Sequence, residues 1–123
     1  MKKIVIIILF LFICYYCYSQ TYHSGTISTD ETWYADDNPH ICTGDITISS
    51  ISLPTLTLKP GVIVKFDPGK TMIIGNASNP SYAGGLIAVG TEDSLITFTS
   101  NAAAPAPGDW DYIEFRNCCI DAN

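Results

Sequence analysis

The chain has 123 residues, 47% of them hydrophobic, and a formal net charge of -6. That length fits one domain. Six Lys and Arg stand against 12 Asp and Glu, so the basic patch that a phosphate backbone requires is lacking and nucleic acid is excluded as a partner. At 15% of the chain, charged residues are too sparse for a disordered acidic tail.

The N-terminus reads as an export signal. Met1-Lys2-Lys3 is a short positive region, Ile4 to Cys14 is an unbroken apolar run, and Tyr15 to Ser19 is more polar and ends in a small residue. That order matches a secretory signal peptide over residues 1–19, with cleavage after Ser19. The rival reading is a retained membrane anchor, for which Ile4 to Ser19 falls short of the about 20 apolar residues a spanning helix needs. Leu11-Phe12-Ile13-Cys14 resembles a lipobox poorly, because Ile13 is bulky where a small residue belongs. After cleavage the remaining cysteines are Cys42, Cys118 and Cys119. An odd number is a poor disulfide framework. Adjacent Cys118 and Cys119 point to opposite faces of a strand and cannot both reach one metal. Small buried residues are the plainer reading.

From residue 20 onward no stretch shows helical periodicity with caps. Short β-rich runs occur instead. In chain order they are Asp45–Ser49, Thr55–Leu58, Val62–Phe66, Thr71–Ile74, Leu86–Val89, Leu95–Thr99 and Tyr112–Phe115. β-Branched and aromatic residues dominate them, as a pleated, half-buried surface prefers. Val62, Val64 and Phe66 share one face, as do Ile96 with Phe98 and Ile113 with Phe115. Lys59-Pro60-Gly61 and Asp67-Pro68-Gly69-Lys70 are turn sequences, in which Pro presets one corner and Gly permits positive φ at the next. Gly75-Asn76, Gly84-Gly85 and Gly90-Thr91 are further breaks. Asn76–Gly85 reads as a polar loop and Asn101–Gly108 as an Ala/Pro loop.

These features predict an all-β fold. A β-sandwich is the alternative, since the strand count permits one. Very short strands and Pro-Gly corners, which bend a chain without favouring tight hairpins, point instead to a coiling solenoid. Aligning Val64/Phe66 with Ile96/Phe98 and then Ile113/Phe115 gives uneven turns of roughly 16 to 25 residues with loop insertions.

Four motifs carry a resemblance. They are Leu56-Thr57-Leu58-Lys59-Pro60-Gly61-Val62-Ile63-Val64-Lys65-Phe66, Gly85-Leu86-Ile87-Ala88-Val89-Gly90-Thr91, Ile96-Thr97-Phe98-Thr99-Ser100, and Gly108-Asp109-Trp110 with Ile113 and Phe115. In this order they resemble the opening rungs of right-handed parallel β-helix proteins of the pectin-lyase-like type, secreted by bacteria. The signal ending in Ser19-Gln20 is similar to those of Bacteroidetes. The resemblance implies a signal peptide at 1–19, an N-terminal cap at 20–40 and β-helix rungs from 41 to 123, incomplete at the C-terminal end. In the cap, Trp33 and Tyr34 would plug the core, with Thr29-Asp30-Glu31 and Asp36-Asp37-Asn38 in solvated turns. Arg116 to Ile120 reads as the start of another rung, so the chain is expected to be a fragment. Cys42 and Cys118 would lie about three rungs, or roughly 15 Å, apart, too far for a disulfide.

Many enzymes of the resembled fold cleave polysaccharides with carboxylates on one long face. Asp36/Asp37, Glu92/Asp93 and Asp109/Asp111 are the candidate carboxylate pairs, each in or beside a turn. Asp109 is expected to cap the turn before Trp110 by accepting backbone N–H groups; a sugar-stacking role for Trp110 is the functional alternative. His23 and His40 read as lone surface histidines. Asn76-Ala77-Ser78 is a formal glycosylation sequon, and Asp93-Ser94-Leu95 resembles a short O-glycosylation motif of Bacteroidetes. No catalytic, cofactor-binding or metal-ligating residue is assigned, and no cofactor is expected. Two functions follow from the resemblance. One is a secreted or cell-surface β-helix module that adheres, scaffolds or binds extracellular glycans, with end-to-end self-association and no membrane contact after cleavage. The other is the N-terminal fragment of a carbohydrate-active β-helix enzyme.

Overall fold

The computed structural model describes residues 19–116. The expected signal before Ser19, the Cys118-Cys119 pair and the last expected rung beyond Arg116 lie outside them. The described chain is all-β, with strands β1 (Thr21–Ile27), β2 (Glu31–Trp33), β3 (His40–Ile48), β4 (Thr55–Leu58), β5 (Ile63–Phe66), β6 (Met72–Ile74), β7 (Gly85–Ala88), β8 (Thr97–Ser100) and β9 (Ile113–Phe115). A single 3-10 turn, Ala35–Asp37, is the only helical element among the described residues.

Every strand pairing is parallel. One sheet has six strands and a smaller one holds β2, β4 and β7. The long strand β3 is shared at both ends. Its residues His40–Cys42 pair with β5, and Ile46–Ile48 pair with β6. Three ladders result. The first runs from the start of β1 through the start of β3 to β5 and β8, and the second from the end of β1 through the end of β3 to β6 and β9. The third is β2–β4–β7.

Alternation decides which side of each strand is buried. β4 and β5 each run half-buried, buried, half-buried, buried, so Leu56, Leu58, Val64 and Phe66 point into the core and Ile63 and Lys65 point away. Parallel register then stacks like on like. Ile27, Ile48, Ile74 and Phe115 form one row, and Thr21, His40, Val64 and Phe98 another. The central rows are fully enclosed, and Phe66, Ile48, Leu56 and Met72 have no exposed surface. Phe115 is 58% exposed although it shares the row of buried Ile74, because among the described residues β9 has a strand partner on one side only.

The corners form as their residues dictate. Val62 N–H donates to the Lys59 carbonyl at 3.2 Å across Pro60-Gly61, and Lys70 N–H to the Asp67 carbonyl at 3.2 Å across Pro68-Gly69. Gly61 and Gly69 have φ of 84° and 70°. This is the type II arrangement that Pro-Gly favours. Short polar side chains tie each corner to the next layer. Asp30 Oδ1 accepts from Thr55 N–H at 2.9 Å, and Asp45 Oδ1 from Thr71 N–H at 3.0 Å. Asn38 serves two groups, accepting from Ile63 N–H and donating to the Gly61 carbonyl, both at 2.8 Å. These bonds satisfy backbone groups that the ladders leave unpaired at the bends.

Register corrects the repeat read from sequence. Val64 and Phe66 align with Phe98 and Ser100, not with Ile96 and Phe98, and Ile113 and Phe115 belong to a different ladder, beside Met72 and Ile74. The offset between partners grows from 19 residues (Thr21 to His40) to 41 (Met72 to Ile113), beyond the expected turn length. The cause is corners of unequal length, the one between the first and second ladders most of all. Between the first and second ladders the chain inserts residue 24, then 43–45, then 67–71, then 101–112. Such outward loops lengthen at small entropic cost.

Candidate functional site

Residues 20–40 contribute β1 and β2, each the outermost strand of its ladder. Their inward positions are unlike those deeper in the stack. In register, His23 stands over Cys42 and Phe66, Glu31 over Leu56, and Trp33 over Leu58. The last inward layer thus carries an imidazole, a carboxylate and an indole where the layers beneath carry Cys42, Phe66, Leu56 and Leu58. Trp33 is buried as expected of a plug, at 2% exposed, whereas Tyr34 is half exposed and contributes its carbonyl instead.

Three rings close this end of the core. His23 stacks on Trp33 with centroids 3.8 Å apart and planes 20° from parallel, and Trp33 stacks on His40 at 4.9 Å and 4°. The surface location expected for His40 is corrected, since it is 2% exposed. Nor does either histidine stand alone. His23 Nε2 lies 3.0 Å from His40 Nδ1, and His40 Nε2 lies 2.8 Å from the Tyr34 carbonyl oxygen. A carbonyl only accepts, so His40 carries its proton on Nε2 and offers the Nδ1 lone pair. His23 must then donate from Nε2. Its own lone pair on Nδ1 faces Glu31 Oε1 at 4.0 Å. That same oxygen accepts from Trp33 Nε1–H at 2.7 Å. Burial, then the neighbouring His40, pushes His23 down to about 4, against the opposing pull of Glu31. His23 is therefore held neutral at neutral pH.

A second cluster sits at the corner between β8 and β9. Asp109 Oδ2 accepts from the Ser100 hydroxyl at 2.7 Å and from Ala106 N–H at 2.8 Å. The turn-capping role expected for Asp109 is thus present. These two bonds, the Ser100 hydroxyl first, hold its carboxyl below the ordinary range. Trp110 stacks on buried Phe66 at 4.5 Å and 13°, so its ring extends the core beneath the corner.

The other candidates are dispersed. Asp36 and Asp37 are exposed in the 3-10 turn, and Glu92, Asp93 and Asp111 are exposed in loops. No group of three or more His, Cys, Asp or Glu that could hold a metal ion occurs among the described residues. Asn76 Oδ1 accepts from Ser78 and Asn79 N–H at 2.8 and 3.1 Å, and the Ser94 carbonyl accepts from Gly61 and Thr91 N–H, so both sequence motifs lie in ordered turns. Cys42 is buried. Burial and the Asp67 carboxylate push its thiol up to about 12, which makes it a packing residue. The linkage of His23 to His40 was hidden in the sequence, because the offset of 19 residues that brings β1 beside β3 has no periodic signal. No family model, curated protein or solved structure matches the chain.

Proposed function

We propose that this chain is a secreted or cell-surface right-handed parallel β-helix module that adheres or scaffolds by engaging extracellular glycans. The wholly parallel ladders support the architecture, since sandwich sheets are antiparallel. Right-handedness rests on the rule that parallel crossovers are right-handed in about 98% of cases. The observation that carries the functional reading is how the carboxylates and amides are used. Asp30, Asn38, Asp45 and Asp109 each accept backbone N–H groups at corners. Their chemistry goes into holding the scaffold. Exposed tyrosines, Tyr22, Tyr34, Tyr82 and Tyr112, offer flat amphipathic surfaces suited to sugar rings. Unpaired edges on β1 and β2 at one end and on β7, β8 and β9 at the other, among the described residues, offer backbone groups for end-to-end association.

A glycan array with the purified protein, run beside an assay for released reducing or unsaturated sugars, tests this reading. Binding without release is the expected result. Release of sugar products would replace it with the carbohydrate-active enzyme reading, and absence of any glycan binding would remove the glycan role.

A further inference from the structure

We propose that His23 and His40 form an acid-operated latch that holds β1 against β3 when both imidazoles are neutral and releases it when they take up protons. The geometry admits only a limited number of protons. With both rings neutral, one continuous line of donors runs from His23 Nε2 to His40 Nδ1 at 3.0 Å and from His40 Nε2 to the Tyr34 carbonyl at 2.8 Å. A first proton has one place to go, His23 Nδ1, where Glu31 Oε1 at 4.0 Å can balance it. A second proton has none. It must bind His40 Nδ1, which would set two N–H groups head to head across 3.0 Å, with both cations under the Trp33 ring. Repulsion at that distance in a desolvated site separates the rings.

The groups around the pair do not offset this. Glu31 on β2 is the carboxylate that faces His23, and it already accepts the Trp33 N–H. Cys42 lies in register beneath His23 on β3 and stays a neutral thiol. Asp67, just after β5, acts on Cys42, and its Oδ1 accepts a hydrogen bond from the Asn101 side-chain amide at 2.7 Å. From the turn before β3, Asp37 presents only its backbone carbonyl, which accepts the Thr21 hydroxyl.

β1 is placed to move. Among the described residues it pairs with β3 and with no other strand. Gly25, at φ 86°, interrupts its register between His23 and the residues that continue to Ile27. The segment before Gly25 can leave the sheet without breaking a deeper ladder, and doing so would uncover the edge of β3 at His40–Cys42. Freed imidazoles take protons near pH 6.5, so each imidazole that protonates on opening raises the opening constant about tenfold per pH unit below that value.

Amide hydrogen exchange of the full chain between pH 7 and 4.5, corrected for intrinsic rates, tests the latch. The expected result is loss of protection in β1, at least about tenfold per pH unit below pH 6, while β4 and β5 stay protected. His23→Phe keeps a ring on Trp33 and removes one titrating group, so its slope should fall by about one proton. Glu31→Gln removes the counter-charge and should move opening to higher pH. Flat protection of β1 in the wild type, or an unchanged slope in His23→Phe, overturns the proposal. Should His23→Phe fail to fold, imidazole NMR signals of the wild-type protein decide. Both rings titrating freely near pH 6.5 while β1 stays protected would overturn the latch, and ring titration coincident with β1 opening would support it.

Discussion

At the scale of single residues, close backbone approach sets the strictest demands. A Cβ on Gly84 would sit 1.9 Å from the Ile48 carbonyl oxygen and 2.6 Å from its carbon. Both are backbone atoms of a core strand and cannot swing aside. Gly84→Ala is expected to cost about 3 kcal/mol, at the upper end of overpacking penalties. Gly69 makes the contrast. Its φ is 70° and nothing lies within 4 Å of an added Cβ, so Gly69→Ala should cost only the left-handed backbone penalty, about 1 kcal/mol. Urea midpoints of the two variants check this order. Cys42 shows burial acting on reactivity instead. With its thiol pushed up to about 12, it should resist alkylation at pH 8 in the native protein and react once denaturant is added. Peptide mapping after iodoacetamide treatment reads this directly.

At the scale of elements, the polar corners and the outer strands respond differently to change. Asn38 bridges Gly61 and Ile63 through both ends of its amide. Asn38→Ala strands one donor and one acceptor between layers, and should cost about 1–3 kcal/mol by chemical denaturation. Two titrating groups give acid sensitivity in separate windows. His23 titrates near 4 in the folded chain and near 6.5 when unfolded. The unfolded chain therefore binds a proton first. The stability His23 contributes is complete above pH 6.5 and is lost as pH falls toward 4, by up to about 3 kcal/mol. Asp109 is the opposite type of group, a carboxyl lowered by its two hydrogen bonds. Its contribution is present above the ordinary carboxyl range and disappears as pH drops through its lowered value. Stability measured against pH should thus fall in two steps, with His23→Phe removing the upper step and Asp109→Asn the lower.

Across the whole molecule, one continuous core joins the three ladders. Phe66 lies at its centre with no exposed surface and a Trp110 ring against it. Phe66→Ala removes both the packing and the stack, and should cost about 3–5 kcal/mol. Among the described residues all strand partners are 19 or more residues apart in sequence, and no two consecutive strands form a hairpin. Loop closure must precede nearly every stabilising contact, so refolding should be slow, on the order of milliseconds to seconds. Stopped-flow Trp fluorescence can follow it through Trp33 and Trp110.

Strand content, the burial alternation of Val62–Phe66 and the two Pro-Gly corners were all legible in the sequence, because each depends on residues within a few positions of one another. Asp109 was legible as a turn cap for the same reason. Local chemistry could not reveal which strands lie side by side. The corners change length from layer to layer, the one between the first two ladders from one residue to the stretch 101–112, and an outward loop of any length leaves the inward pattern unchanged. That concealed the true partners of Phe98 and Ile113, and it concealed the side-chain contact of His23 with His40. Neither histidine has a neighbour in sequence that marks it as buried or bonded. Only the parallel register of β1 on β3 brings the two rings together under Trp33, and the low-polarity end of the core then decides their protonation.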